Sequence, residues 1–170
     1  MRAGHRTGRG SIAGSTPQRI LIVDDQAGPR RILQRAFESL GHEMETAADG
    51  FDRLAKVRLG ATLVVLDAEM PGMDGFEVAR RIRQDPEFAD LPILMVTGLT
   101  TQTDRLRAVE VGINDFIAKP FDPTELQLRS ATLIRASLAG QALKRHEADL
   151  ESQVDRRTAA LRKGQPDGTP

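Results

Sequence analysis

The chain has 170 residues, 39% of them hydrophobic, which suits one domain with a real core and room for appendages. Lys plus Arg equals Asp plus Glu at 24 each, so charge points neither to nucleic acid nor to an anionic membrane. The absence of cysteine excludes disulfides, thiol catalysis and Cys-ligated zinc, and the scattered His5, His42 and His146 share no metal-ligand spacing.

Residues 1–18 are rich in Gly, Ser, Thr and Arg and are expected to be a disordered tail without a secretory signal. Arg19 to Val23 reads as a buried strand ending in Asp24 and Asp25. Gly28-Pro29 opens a helix with Ile32, Leu33, Ala36, Phe37 and Leu40 inward and Gly41 as its cap. Glu43 to Ala48 is a short polar edge strand with Met44, Thr46 and Ala48 alternating. Asp49-Gly50 turns into a helix with Phe51, Leu54, Ala55 and Val57 inward, ended by Gly60.

Leu63 to Leu66 is an apolar run that stops at Asp67, with a turn in Met70-Pro71-Gly72-Met73-Asp74-Gly75. Phe76, Val78, Ala79 and Ile82 mark a helix ended by Asp85-Pro86. Pro92 to Val96 is the fourth strand and ends in Thr97-Gly98. A helix from about Thr103 to Val111 carries Leu106, Ala108 and Val111, with Gly112 as its cap. Asp115 to Ala118 is the fifth strand and ends in Lys119-Pro120. Asp122-Pro123-Thr124-Glu125 reads as N-cap, N1 proline and capping-box Glu of a helix through Leu126, Leu133, Ile134 and Leu138.

Five βα units with right-handed crossovers predict an α/β fold, a flavodoxin-like doubly wound parallel sheet in the order 2-1-3-4-5. The expected domain spans 19–140, followed by a helical extension over 141–163 and a flexible end over 164–170. Leu143, Leu150, Val154 and Leu161 recur with steps of seven, four and seven, a thin coiled-coil seam that Glu147 and Arg157 interrupt. A solvated extension of the last helix fits the same residues.

Four strands end in functional groups: Asp24-Asp25, Asp67, Thr97 and Lys119. The topology brings all of them to the carboxyl edge of the sheet, where such folds bind ligands. Carboxylates held together repel, and a divalent cation resolves the conflict; hard oxygens at a wet edge suit Mg²⁺. A metal, an ammonium and a hydroxyl around one carboxylate make a trap for a transferring phosphoryl group, with Asp67 left as the nucleophile.

With these residues in order and at these spacings, the chain from about Arg19 to Ala139 resembles the receiver domain of bacterial two-component response regulators. The resemblance rests on Ile-Leu-Ile-Val-Asp24-Asp25, on Leu-Val-Val-Leu-Asp67 through Gly75, on Met-Val-Thr97-Gly98 and on Phe116-Ile-Ala-Lys119-Pro120. It implies that Asp67 accepts phosphate from a histidine of a sensor kinase or a phosphotransfer protein. It implies Mg²⁺ on Asp24, Asp25 and Asp67 with the Glu69 carbonyl, phosphoryl contact by Lys119, a Thr97–Phe116 switch pair, and a cis bond before Pro120. Gly98 replaces a usual alanine, Phe116 stands where tyrosine is common, and Glu69 places a charge beside Asp67.

Residues 150–161 resemble linker helices that lead to C-terminal output domains, so either a receiver fragment or a regulator acting through protein contacts is expected. A homodimer through the face of the fifth strand and its neighbouring helices, or through the C-terminal helices, is expected; membrane or nucleic-acid binding is not. The competing reading is a Mg²⁺-dependent phosphohydrolase with an Asp nucleophile. Haloacid-dehalogenase-type folds carry Asp-x-Asp after the first strand, whereas here Asp24 and Asp25 are adjacent. A flavin-binding electron carrier fits the fold but not the acidic edge.

Overall fold

The computed structural model describes residues 17–48, 55–98 and 101–163. Five strands, β1 (Arg19–Val23), β2 (Glu43–Ala47), β3 (Leu63–Asp67), β4 (Ile93–Thr97) and β5 (Asp115–Ala118), form one sheet. The order is β2-β1-β3-β4-β5 and every pairing is parallel, as the βα alternation predicts. Helices α1 (Ala27–Glu38), α3 (Gly75–Gln84), α4 (Gln102–Glu110) and α5 (Pro123–Lys163) connect or follow the strands, and α2 is helical at 55–57.

The central strands are apolar at nearly every position because both faces of the sheet are covered. Ile20, Ile22, Val65 and Leu94 point to one face and meet Leu33, Ala36 and Phe37 of α1 and Leu126 and Ile134 of α5. Leu21, Val23, Leu66 and Met95 point to the other and meet Phe76, Ala79 and Ile82 of α3, Val57 and Ala108. Phe37 and Phe76 are the largest fully buried side chains, each worth about 2–3 kcal/mol in burial.

Local chemistry sets the helix starts at the site end of the sheet. Asp74 caps α3, its carboxylate accepting from the Glu77 N–H at 2.8 Å. Thr101 and Asp104 form a reciprocal capping box on α4. Asp122 accepts from the Thr124 N–H at 2.6 Å at the start of α5, while the Glu125 carboxylate pairs with Arg129 instead of closing the box.

Several positions expected inward face solvent. Ile32 is 55% exposed, because the inward stripe of α1 runs Leu33, Ala36, Phe37 and Leu40, and Ile32 lies one residue off it. Leu106 is 59% exposed: α4 rests on Ala108, which lies 200° round the helix from it. The same rotation separates Ala55, which is exposed, from Val57, which is buried. Ala48 is exposed because β2 ends at Ala47, and Ala47 is the residue the core takes. Leu138 is exposed where α5 leaves the domain. Phe51 and Leu54 lie outside the described residues.

Helix α5 runs unbroken for 41 residues through Gly140, and every residue from Leu138 to Arg162 is exposed. Among the described residues no helix is long and apolar enough to cross a membrane.

Candidate functional site

The parallel register assembles the site. Val23 lies level with Leu66, so Asp24 follows level with Asp67. Asp67 lies level with Val96, and Thr97 with Ala118, so Thr97 and Lys119 close the same edge from the other side. The Lys119 N–H donates to the Thr97 carbonyl at 2.8 Å, extending the ladder past the strand ends. The Lys119–Pro120 peptide bond is cis.

The result is an acidic pocket that holds the Lys119 ammonium. Asp24, Asp25 and Asp67 each present a carboxylate oxygen, and these oxygens lie within 4.8 Å of one another. Asp24 is 0% and Asp67 2% exposed. The Lys119 ammonium sits 3.0 Å from Asp67 Oδ1 and 3.7 Å from Asp24 Oδ2, so it bonds the first and only attracts the second. Asp24 Oδ1 accepts the Gln26 N–H at 2.7 Å, and Asp67 Oδ1 the Glu69 N–H at 3.3 Å. Three buried oxygens keep no hydrogen-bond partner: Asp24 Oδ2, Asp25 Oδ1 and Asp67 Oδ2. Burial pushes the Asp24 carboxyl above its usual range, against the pull of the Gln26 N–H and Lys119, with the neighbouring Asp67 and Asp25 adding to the rise.

A fold gains nothing from three orphaned carboxylate oxygens in one place, since each forfeits its hydration. Hard oxygens grouped in this way have the chemistry that suits a divalent cation, and the adjacent ammonium suits an anion.

Thr97 is buried beside this pocket, and the ring of Phe116 lies on the same side of β5. A cleft of about 10 Å³ separates them, lined by Phe76, Met95 and Ala108. That is room for about one water and not for a phenyl ring. The cleft as it stands does not hold the Phe116 ring. The Arg105 guanidinium lies over the Phe116 ring at 5.4 Å and favours its present position.

A family model for the response regulator receiver domain matches residues 20–131. The chain belongs to that family. As a receiver domain it serves phosphorylation-dependent response regulation in two-component signalling. It is 41% identical over 119 residues to a "Probable transcriptional regulator ycf27" of Cyanophora paradoxa, covering 69% of this chain and 48% of that protein. It is 36% identical over 138 residues to the "Cyclic di-GMP phosphodiesterase response regulator RpfG" of Xanthomonas campestris pv. campestris, covering 79% and 36%. The chain thus spans half or less of these relatives' lengths. Among solved structures it resembles the chemotaxis protein CheY4 of Vibrio cholerae, at 31% identity and a TM-score of 0.66, covering 69% of this chain and 99% of that one. The receiver domain of the sensor histidine kinase PA1611 from Pseudomonas aeruginosa PAO1 is also similar, at 29% identity and a TM-score of 0.64, covering 70% and 98%; that structure has a magnesium ion coordinated in its active-site cleft.

The structure brings Asp24, Asp25, Asp67 and Lys119 into one pocket, with Thr97 and Phe116 beside it. The Glu69 side chain is exposed and reaches toward Gly98: a Cβ there would meet Glu69 Oε2 at 3.0 Å. Sequence reading missed the residues that brace this receiver site from behind. Gly75 packs its Cα side against the backbone of Asp67 and Ala68, and its N–H donates to the Ala68 carbonyl at 3.0 Å. Asp74 holds the Arg107 guanidinium at 2.8 Å, and Arg107 stacks over Phe76 at 4.2 Å, tying α4 to α3. The capping pattern Asp74-x-x-Glu77 was a usable signal for Asp74. The arginines carried none, since on one helix they look like any solvated cation.

Proposed function

We propose that this receiver accepts a phosphoryl group on Asp67 from a phosphorylated histidine of a sensor kinase or phosphotransfer protein. The set of unpartnered carboxylate oxygens beside Lys119 carries this reading. Asp24, Asp25 and Asp67 would hold Mg²⁺ with the backbone carbonyl of Glu69, and the orphaned hard oxygens fit that ion. Bound there, Mg²⁺ would neutralise charge on the transferring phosphoryl oxygens.

Asp67 supplies the nucleophile. Its carboxylate oxygen attacks phosphorus, the O–P bond forms as the P–N bond to the imidazole breaks, and the departing nitrogen is protonated from solvent. Lys119, already bonded to Asp67, stabilises negative charge on the phosphoryl oxygens without taking a metal position. The chemistry occurs on the chain itself and turns over no separate substrate.

The phosphoryl group then offers an acceptor to the Thr97 hydroxyl. Thr97 moves inward, the cleft widens, and Phe116 follows against the hold of Arg105. That local change biases the α4–β5–α5 surface. We assign the receiver to 19–140 and the extension to 141–163, place the chain in the cytoplasm, and read it as a homodimer through that surface, through the C-terminal helices, or both. Phosphorylation strengthens the dimer by about 1–3 kcal/mol, the usual size for linked sites.

Incubation with a small phosphodonor and Mg²⁺ should add one phosphate to the intact chain, and Asp67→Asn should abolish it. Full labelling of Asp67→Asn would refute the assignment. Sedimentation with and without beryllofluoride, on the whole chain and on one cut after Gly140, tests the dimer.

A further inference from the structure

The exposed stripe of α5 reads the same in both directions. Leu143, Glu147, Leu150, Val154, Arg157 and Leu161 follow one another in steps of four, three, four, three and four. Such a stripe is the a/d seam of a helix pair. Its four apolar members are all exposed, and beyond Lys144, which is paired with Asp90, the side-chain hydrogen bonds among the described residues stay within the helix. Most helical stability in proteins comes from packing of an apolar face, and this face is exposed.

The two charges on the stripe decide how it is covered. In a parallel pair each seam residue meets its own copy, so Glu147 would face Glu147 and Arg157 would face Arg157 inside the seam. Like charges in contact oppose pairing. In an antiparallel pair centred on residue 152, position i meets position 304 − i. Leu143 then meets Leu161, Leu150 meets Val154, and Glu147 meets Arg157, each twice. Every apolar residue gains an apolar partner and every charge its opposite. Among the described residues neither Glu147 nor Arg157 forms an ion pair within the chain. Arg157 has Gln153, Val154, Ala160 and Leu161 as its helical neighbours and so no acid within reach. The nearest like-charge approach in this register is Glu151 to its own copy, at the rim, where water and salt screen it.

We propose that residues 143–161 of α5 pair antiparallel with the same residues of a second copy, locked in register by two Glu147–Arg157 bridges. The inference rests on the homodimer reading above and fixes its geometry. The paired stretch is about 27 Å long at the α-helical rise. The partner's Leu161 reaches Leu143, next to the point where Lys144 anchors the helix to the receiver. The two receivers then stand at opposite ends of the stalk.

The cysteine-free chain makes the register readable by introduced thiols. Leu143→Cys and Leu161→Cys proteins are treated with a mild thiol oxidant separately and as a mixture. The antiparallel register predicts a mixed disulfide and little of either homodisulfide. A Leu143→Cys homodisulfide in its place would overturn the register while keeping the dimer. E147R should raise the dimer dissociation constant roughly tenfold, because two bridges become two repulsions, and E147R/R157E should restore it. In a parallel pair E147R would exchange one like-charge contact for another and change little, which would also overturn the register. A wild type that stays monomeric at high concentration, with and without beryllofluoride, would reject both the register and the dimer. Labelling of Asp67 is measured on the same samples and stands or falls separately.

Discussion

Gly75 is the residue at which receiver geometry is least forgiving. A Cβ built there would overlap the Asp67 carbonyl oxygen and lie 2.9 Å from Ala68 Cα and 3.0 Å from the Asp67 carbonyl carbon. All three atoms are backbone, and β3 is a fully buried central strand, so nothing can swing aside. Either the first turn of α3 lifts off the sheet or β3 is pushed toward its neighbours. Overpacking of this kind costs about 1–3 kcal/mol, against which the better helix propensity of alanine returns less than about 1 kcal/mol at a first helical position. Gly75→Ala should therefore lose about 2 kcal/mol. With a urea slope of about 2 kcal/mol/M, the unfolding midpoint should fall by about 1 M. Gly140→Ala provides the matched control: nothing lies within 4 Å of the added carbon, and the residue sits mid-helix, so the change should be neutral to stabilising by up to about 1 kcal/mol. Urea titration followed by circular dichroism compares the two. A Gly75→Ala protein as stable as wild type would refute the claim that this backbone contact is rigid. If it also took phosphate at the normal rate, the contact would have no part in placing Asp67.

Asp24→Asn should stabilise the metal-free protein at neutral pH by about 1–2 kcal/mol, since a buried charge becomes a neutral amide, while weakening Mg²⁺ binding measured by calorimetry. The Asp24 carboxyl titrates above its usual range in the fold, so its protonated form contributes stability that is complete below the unfolded value of 3.8 and lost as pH rises through the folded value. The gap between Asp24→Asn and wild type should therefore narrow on acidification, and a gap independent of pH would contradict it. Asp74→Ala should cost about 1–2 kcal/mol by removing the α3 cap and the Arg107 bridge together, whereas Asp74→Asn should keep most of the cap; equal losses in thermal melts would show that the bridge dominates. Thr97→Ala should still take phosphate on Asp67 yet leave the Phe116 environment unmoved, and identical spectral shifts around Phe116 in phosphorylated wild type would refute the coupling.

Strand ends were legible in the sequence because a buried strand announces itself as an apolar run and stops at the first charge. Asp24, Asp67 and Lys119 are those stops, and parallel topology alone carries them to one edge. Helix faces were less legible. An apolar residue beside the inward stripe, such as Ile32, or across the helix from it, such as Leu106, is apolar within a helical pattern yet points outward, and only the packing angle of the helix on the sheet decides it. The braces behind the site were not legible. Arg107 is defined by Asp74 and Phe76 in another helix, and Gly75 by a backbone contact with β3, and neither partner is near enough in sequence to leave a local pattern.

The features that mark the site are those a fold would otherwise avoid. Asp24 and Asp67 keep carboxylate oxygens buried without hydrogen bonds, and Gly75 starts a helix with the poorest helix former short of proline. Each is tolerated because the surrounding strands are over-determined: their apolar side chains are covered on both faces, and their ends cannot retreat into water. The stripe on α5 shows the opposite regime. Glu147 and Arg157 look like flaws in a coiled-coil seam when the helix is read alone, and no packing within the chain forces them to stay. Local conflict in the core of a fold marks chemistry, whereas conflict on a bare helix marks a missing partner. The two proposals differ in what would relieve the conflict: a cation for the first, a second copy of the chain for the second.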